Sequence, residues 1–202
     1  MKKRYITLGL FLLAAVCTIQ CAVCQTAQQR LAEKVIRLHV VANSDTREDQ
    51  RVKLLVRDAV LEAAGKALEG ADDPQTALRE NLSSIERAAE NRLLRLGKKD
   101  AVRVSLQREL FPTRDYETFR LPAGVYRTLR VTIGEGAGHN WWCVVFPALC
   151  LPASEEEQRV LCEKAGLTGQ EIAALCDDSG EIELEFRTLE LLEKIKKKLW
   201  DA

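Results

Sequence analysis

Few side chains in this chain of 202 residues are suited to catalysis. It has two histidines, His39 and His139, and seven cysteines. A thiol nucleophile at Cys143 would need one of these histidines close by, because a thiolate requires a neighbouring base or positive charge. Cys143 lies in the apolar run from Trp141 to Phe146, where burial keeps a thiol inert. The sequence therefore disfavours a thiol enzyme.

The cysteines beyond the N-terminal segment favour a disulfide over a metal site. These four cysteines contain no C-x-x-C pair, and the histidines lack the spacing of zinc ligands. Cys143 and Cys150 flank Pro147 at a separation of seven residues, so we predict a disulfide between them. We expect no metal and no cofactor.

Polar residues gather where a predicted strand meets a predicted helix. They are His39, Asn43, Asp45 and Asp49, and such edges are common places for binding sites. The alternative is that His39 is satisfied on the second face of the strand while residues 43–45 only cap the helix.

A second group of candidate residues follows a glycine-rich segment. Trp141 and Trp142 point to opposite faces of a strand, so one can be buried and the other exposed. A surface tryptophan beside Asn140 would suit a partner anchor. Residues 134–138 join two strands, which indicates a hairpin turn; a phosphate-binding loop would instead open a helix.

Hydrophobic periodicity predicts an α+β fold with a β-α-α-β-β-β core, in which a small, mainly antiparallel sheet is covered by helices, and a helix-rich C-terminal part. Asp45 and Glu48 resemble a capping box at the start of the first core helix, whose apolar stripe excludes Lys53. Segment 181–187 fits both a strand and a helix. The predicted strands are 35–41, 102–107, 126–133 and 141–146, with a loop between the second and the third. The predicted helices begin near residues 45, 74, 154 and 170. Asp73 is the predicted cap of the second helix, which runs to residue 96, and Ser154 and Glu157 form a predicted capping box at the third.

The N-terminus has the pattern of an export signal. Lys2, Lys3 and Arg4 precede an uncharged apolar stretch at 6–19. This stretch is shorter than the roughly 20 residues that cross a bilayer comfortably, which favours cleavage over anchoring. We predict a signal peptide or signal anchor at 1–27. The remainder, 28–202, is predicted as a single extracytoplasmic α+β domain with a core at about 33–151 and a helical part at 152–202.

Charge excludes one class of function. Beyond the leader, 27 Lys and Arg face 30 Asp and Glu, whereas a general nucleic-acid binder needs a basic surface. We expect no nucleic acid and no small-molecule substrate. The lysines within 194–198 complement a helix dipole or contact an anionic membrane surface.

Two segments of the chain resemble the stage II sporulation protein R family of endospore-forming bacteria. The first runs from Ile36 to Asp45 and continues with 48–50, Lys53 and 56–60. The second includes Tyr126, 129–131, 133–134, Gly138, 140–147 and 149–150. Together they cover about residues 33–151, in the same order as in the family.

The resemblance implies a protein exported from the forespore into the septal intermembrane space during sporulation. There it would activate a membrane-embedded protease that processes the precursor of sigma-E, without catalysis of its own. The candidate contacts with the extracytoplasmic part of that protease are His39, Asn43, Asp45, Asp49, Asn140, Trp141 and Trp142. Two alternatives stay open: an envelope or peptidoglycan hydrolase, which would need a carboxylate pair or a metal in a cleft, and a structural septal protein.

Overall fold

A computed structural model of the chain describes residues 28–150 and 154–176. The predicted leader at 1–27, the ambiguous segment 181–187 and the lysines at 194–198 lie outside the described residues. Within the described ranges, no helix is long and apolar enough to cross a membrane. The prediction of a single domain over 28–202 stays a prediction, because that range extends beyond the described residues.

The described chain has six helices and six strands, so the prediction of an α+β fold is confirmed. In chain order they are α1 (28–34), β1 (Ile36–Val41), α2 (Arg47–Leu68), α3 (Pro74–Glu80), α4 (Leu82–Arg95), β2 (Val102–Phe111), β3 (Arg114–Asp115), β4 (Arg120–Leu121), β5 (Gly124–Ile133), β6 (Asn140–Phe146), α5 (Glu155–Lys164) and α6 (Gly169–Cys176). The chain divides into two compact units. The larger comprises Ala32–Phe111 and Val125–Thr168, and the smaller includes Pro112–Gly124 and, among the described residues, Gly169–Cys176.

The larger unit contains a mixed four-stranded sheet in the order β2-β5-β1-β6. β1 is parallel to β5 and antiparallel to β6. The Gly134 N–H donates to the Ala101 carbonyl at 2.8 Å, which places the end of β5 beside the start of β2, as in an antiparallel pair. The predicted β5–β6 hairpin is therefore wrong. Local alternation identifies both strands, but it cannot show that the sequence-distant β1 lies between them.

One face of this sheet forms the hydrophobic core with the helices. The apolar stripe of α2 packs there together with α4, and each fully buried aliphatic side chain contributes about 1.5–3 kcal/mol. The buried residues include Leu38, Val40, Leu129 and Val131 from the strands, Val52, Val56 and Val60 from α2, and Ile85, Ala89 and Leu93 from α4.

The opposite face of β1 is buried as well, so all six residues of this strand are buried. Arg37 and His39 alternate with the core residues as the sequence predicts, but neither faces water. The guanidinium of Arg37 lies 3.9 Å from the ring centroid of Phe111, and Phe111 makes edge contacts with Tyr126 and Trp142. Polar side chains on this face are thus embedded among aromatic rings.

The helix predicted from residue 74 to 96 is broken at Asn81. The Asn81 side chain donates to the Ala77 carbonyl at 2.9 Å, and its backbone leaves the helical conformation (φ −100°, ψ 7°). Asp73 caps α3 as predicted. Gly97, at φ +71°, follows the end of α4 in the left-handed region that glycine favours.

The smaller unit contains a short antiparallel β3–β4 ladder within the stretch predicted as a loop. The rings of Tyr116 and Phe119 stack with centroids 4.4 Å apart, and α6 contacts β4. In the larger unit, Ser154 and Glu157 form the predicted capping box of α5.

Candidate functional site

The turn between β1 and α2 and the loop between β5 and β6 lie against each other. The Ala42 carbonyl accepts from the Gly138 N–H at 3.0 Å, and the Asn43 carbonyl accepts from the Ala137 N–H at 3.1 Å. This junction contains Asn43, Asp45 and Asp49, three of the residues predicted to form a site.

Asn43 and Asp49 are used to join the two segments. The Asn43 Oδ1 accepts from the Glu135 N–H at 3.0 Å, while its Nδ2 donates to Asp49 Oδ2 at 3.0 Å. The Ser44 hydroxyl donates to the same Asp49 oxygen at 2.6 Å. The hydrogen bonds from Ser44 and Asn43 lower the pKa of Asp49, which keeps this carboxylate ionised and bound.

Asp45 is not the helix cap predicted from the sequence. The N-cap of α2 is Thr46, whose hydroxyl accepts from the Asp49 N–H at 3.2 Å. The Asp45 carboxylate instead accepts from the His139 N–H at 2.6 Å and pairs with the His139 ring. These hydrogen bonds lower the pKa of Asp45. Asp45 binds the loop because His139 offers its N–H and its ring there. The sequence around Asp45 does not indicate these partners.

Lys53 is a residue of the junction that sequence reasoning placed outside the apolar stripe. Its side chain is 5% exposed, and its ammonium donates to the His139 carbonyl at 2.9 Å and to Gln50 Oε1 at 2.6 Å. Burial lowers the pKa of Lys53. The sequence does contain a signal for this role, because Lys53 directly follows Val52 of the apolar stripe. A charged side chain at the border of a buried stripe needs a polar partner.

The glycines of the β5–β6 loop are explained by the close approach of the two segments. Gly134 has φ +56°, and a Cβ there would lie 2.2 Å from Asn43 Oδ1. A Cβ at Gly138 would lie 2.3 Å from the Ser44 carbonyl oxygen. The glycine-rich segment therefore packs against the β1–α2 turn.

A second polar network surrounds His39 on the aromatic face of the sheet. The ring Nδ1 lies 2.6 Å from Glu109 Oε2, and Nε2 lies 2.8 Å from Asn140 Oδ1. Arg130 donates to the other Glu109 oxygen at 3.1 Å. Four strands contribute one residue each to this network.

Glu109 is the ionised centre of the network. Burial alone would raise the pKa of Glu109, but hydrogen bonds from His39, Gln107 and Arg130 outweigh it and lower the pKa from 4.5 to about 2. Sequence reasoning missed Glu109 and Arg130. Arg130 lies in the 129–131 segment that carries the family resemblance, whereas Glu109 lies in neither segment. Only the strand order brings both residues beside His39.

The His39–Glu109 pair resembles the arrangement in which a carboxylate orients a catalytic base. Such a base needs a nucleophile or substrate at its other nitrogen, whereas Nε2 faces Asn140. The structure joins Cys143 and Cys150 in a disulfide with an S–S distance of 2.06 Å, so Cys143 offers no thiol. This geometry suits a fixed structural network.

The two tryptophans of β6 have different surroundings. Trp142 contacts the rings of His39 and Phe111, with centroids 5.9 and 5.8 Å away. Trp141 is 36% exposed, and the guanidinium of Arg57 lies 4.5 Å from its ring centroid. Arg57 in turn binds Asp58 at 2.7 Å. Trp141 thus presents a partly exposed ring that packs against Arg57.

Two cavities lie elsewhere in the larger unit. One of about 580 Å³ is lined by α2 and α4, and another of about 240 Å³ lies beside Arg127 and Phe146. The linings of these two cavities include none of the predicted site residues. Within residues 28–150 and 154–176, no group of three or more His, Cys, Asp or Glu side chains could hold a metal ion.

Comparisons with known proteins agree with the resemblance noted in the sequence. The model of the family described as Stage II sporulation protein R matches residues 32–156. A relative from Bacillus subtilis (strain 168), named Stage II sporulation protein R, is 33% identical over 160 residues, which is 74% of this chain and 71% of the relative. No solved structure matches.

Proposed function

Because the chain belongs to the stage II sporulation protein R family, we propose that it is an exported, non-enzymatic signalling protein of sporulation. Released or retained at the forespore membrane, it acts in the septal intermembrane space. There it activates a membrane-embedded protease that processes the precursor of sigma-E. Family membership supports the sporulation role, and the supported tryptophan on β6 supports docking.

The observation that carries the docking mechanism is the surface formed by Trp141 and Arg57. A partly exposed tryptophan under a guanidinium offers a large contact area at little cost in side-chain entropy, and Trp and Arg are enriched among residues that dominate binding energy. Asn140, at the exposed start of β6, and His139, in the loop beside it, flank this surface. We assign contact with the protease to Trp141 and its neighbours.

The other predicted contact residues have a different role in this proposal. His39, Asn43, Asp49 and Trp142 hold β1, β6 and the loop in place, while Asp45 fixes His139. They act as positioning residues for the Trp141 surface. Activation then follows if this surface binds the active arrangement of the protease more tightly than the inactive one, since only differential affinity shifts an equilibrium.

The test is complementation of a sporulating strain that lacks its own copy of the gene. Trp141→Ala should abolish processing of the sigma-E precursor, because loss of a dominant interface tryptophan costs about 2 kcal/mol or more, roughly a 30-fold loss of affinity. Leu94→Ala is the matched control, because Leu94 is also an exposed apolar residue, 67% accessible, on α4.

Secreted protein levels and thermal unfolding of the purified chain separate folding from docking. Normal processing with Trp141→Ala would contradict the proposal and favour a structural septal role. If Trp141→Ala unfolds the protein, Arg57→Gln keeps the ring and tests the same surface.

A further inference from the structure

β2 is a ten-residue strand at one edge of the described sheet. Edge strands present backbone N–H and C=O groups that can pair with another chain, and proteins usually protect them. Among the described residues, the protection of β2 is limited to its first part, which makes the remainder a candidate interaction surface.

The direction of the β2 backbone groups follows from one hydrogen bond. The Val104 N–H donates to Glu86 Oε2 of α4 at 2.7 Å, so it points away from β5. Since N–H directions alternate along a strand, the N–H groups of Leu106, Arg108 and Leu110 also point to the outer edge. In the described part of the chain, Glu86 covers Val104, the first of these positions, and no side chain binds the other three N–H groups.

The side chains along this edge are suited to a partner. Leu110 is 49% exposed, and Val125, which a regular antiparallel ladder places opposite it, is 43% exposed. Leu106 is half-buried, and Arg108 is exposed. Within the described part of the chain, the Arg108 side chain has no hydrogen-bond or ion-pair partner.

We propose that the outer edge of β2 from Leu106 to Leu110 binds an extended segment of a partner protein by strand addition. The segment carries apolar residues opposite Leu106 and Leu110 and an acidic residue opposite Arg108. A second copy of this chain is disfavoured, because symmetric antiparallel pairing centred here would set Arg108 opposite Arg108, and like charges across a ladder repel. This surface is independent of the Trp141 surface and of the sporulation role.

The probe is a synthetic fluorescent peptide with leucine, glutamate and leucine at alternate positions and threonine between them. Its control carries lysine in place of the glutamate. Anisotropy titration of the full mature chain should show about tenfold tighter binding of the glutamate peptide, and Arg108→Glu should reverse the preference. If neither peptide binds, Arg108 serves only to protect the edge, and the proposal is overturned.

Two proline variants test the direction of the backbone groups. Arg108→Pro removes an outward N–H and should leave thermal unfolding within a few degrees of the parent, because edge strands tolerate proline there, while peptide binding is lost. Gln107→Pro removes an N–H directed at β5 and should lower the unfolding temperature markedly. If Arg108→Pro and Gln107→Pro lower the unfolding temperature equally, the assigned directions of the β2 N–H groups are refuted. If the parent chain sediments as a dimer and Arg108→Pro sediments as a monomer, the edge of β2 pairs with a second copy of this chain, which would also overturn the proposal.

Discussion

Substitution of Glu109 by glutamine should destabilise the fold in a pH-dependent way. The Glu109 carboxylate receives hydrogen bonds from His39 at 2.6 Å, Gln107 at 2.6 Å and Arg130 at 3.1 Å. The glutamine amide keeps the shape, but it is neutral and has only one acceptor oxygen, so it loses the charge that strengthens each bond and cannot accept all three. The difference between charged and neutral hydrogen bonds is about 1 kcal/mol each, so Glu109→Gln should cost about 2–3 kcal/mol at pH 7.

The lowered pKa of Glu109 results from the same hydrogen bonds and defines the pH range in which they stabilise the fold. A shift from 4.5 to about 2 corresponds to roughly 3 kcal/mol at about 1.4 kcal/mol per unit. Because the folded-state pKa lies below the ordinary value, this stabilisation is complete above about pH 5. It is lost as the pH falls from about 4.5 towards 2.

Urea unfolding followed by tryptophan fluorescence, repeated from pH 7 to 2, measures the effect. The free energy of unfolding should differ by about 2–3 kcal/mol between the parent and Glu109→Gln at pH 7, and the difference should shrink towards zero near pH 2. Glu62→Gln, at an exposed ion pair with Lys66, is the control and should change little. A difference that is independent of pH would refute the electrostatic account.

Two further substitutions test the junction between the β1–α2 turn and the β5–β6 loop. Gly134→Ala should lower the free energy of unfolding, measured by chemical denaturation, by about 2 kcal/mol or more, because the added Cβ would clash with Asn43 Oδ1. Gly70→Ala is the control and should lower it by only about 1 kcal/mol, because Gly70 also has a positive φ but lies in open space. Thr46→Ala should lower the free energy of unfolding by about 1 kcal/mol, because α2 loses its cap, whereas Thr46→Ser should change it little. If Thr46→Ala has no effect, Thr46 is not the cap and Asp45 is the cap instead.

Several residues that carry the family resemblance have structural roles at this junction. Asn43 and Asp49 bond to each other, Gly134 and Gly138 permit the close approach, and Lys53 fills a buried position against the loop. A motif rich in polar residues and glycine can therefore specify how two segments meet. The partner surface is then restricted to what this junction presents outward, above all Trp141.

The sequence alone determined the elements with strong local patterns. The strand at β1, the apolar stripe of α2, the Asp73 cap and the capping box of Ser154 and Glu157 depend on interactions within a few residues, so periodicity and cap chemistry reveal them. The opposite orientations of Trp141 and Trp142 likewise follow from strand geometry.

Only the tertiary structure decided which of these elements meet. Insertion of β1 between β5 and β6 replaced the expected hairpin, and it set His39 beside Glu109, 70 positions away in the chain. The same packing diverted Asp45 from the helix cap to His139. Such choices depend on the burial free energy of whole faces of the sheet, summed over distant segments, and no local pattern contains that sum.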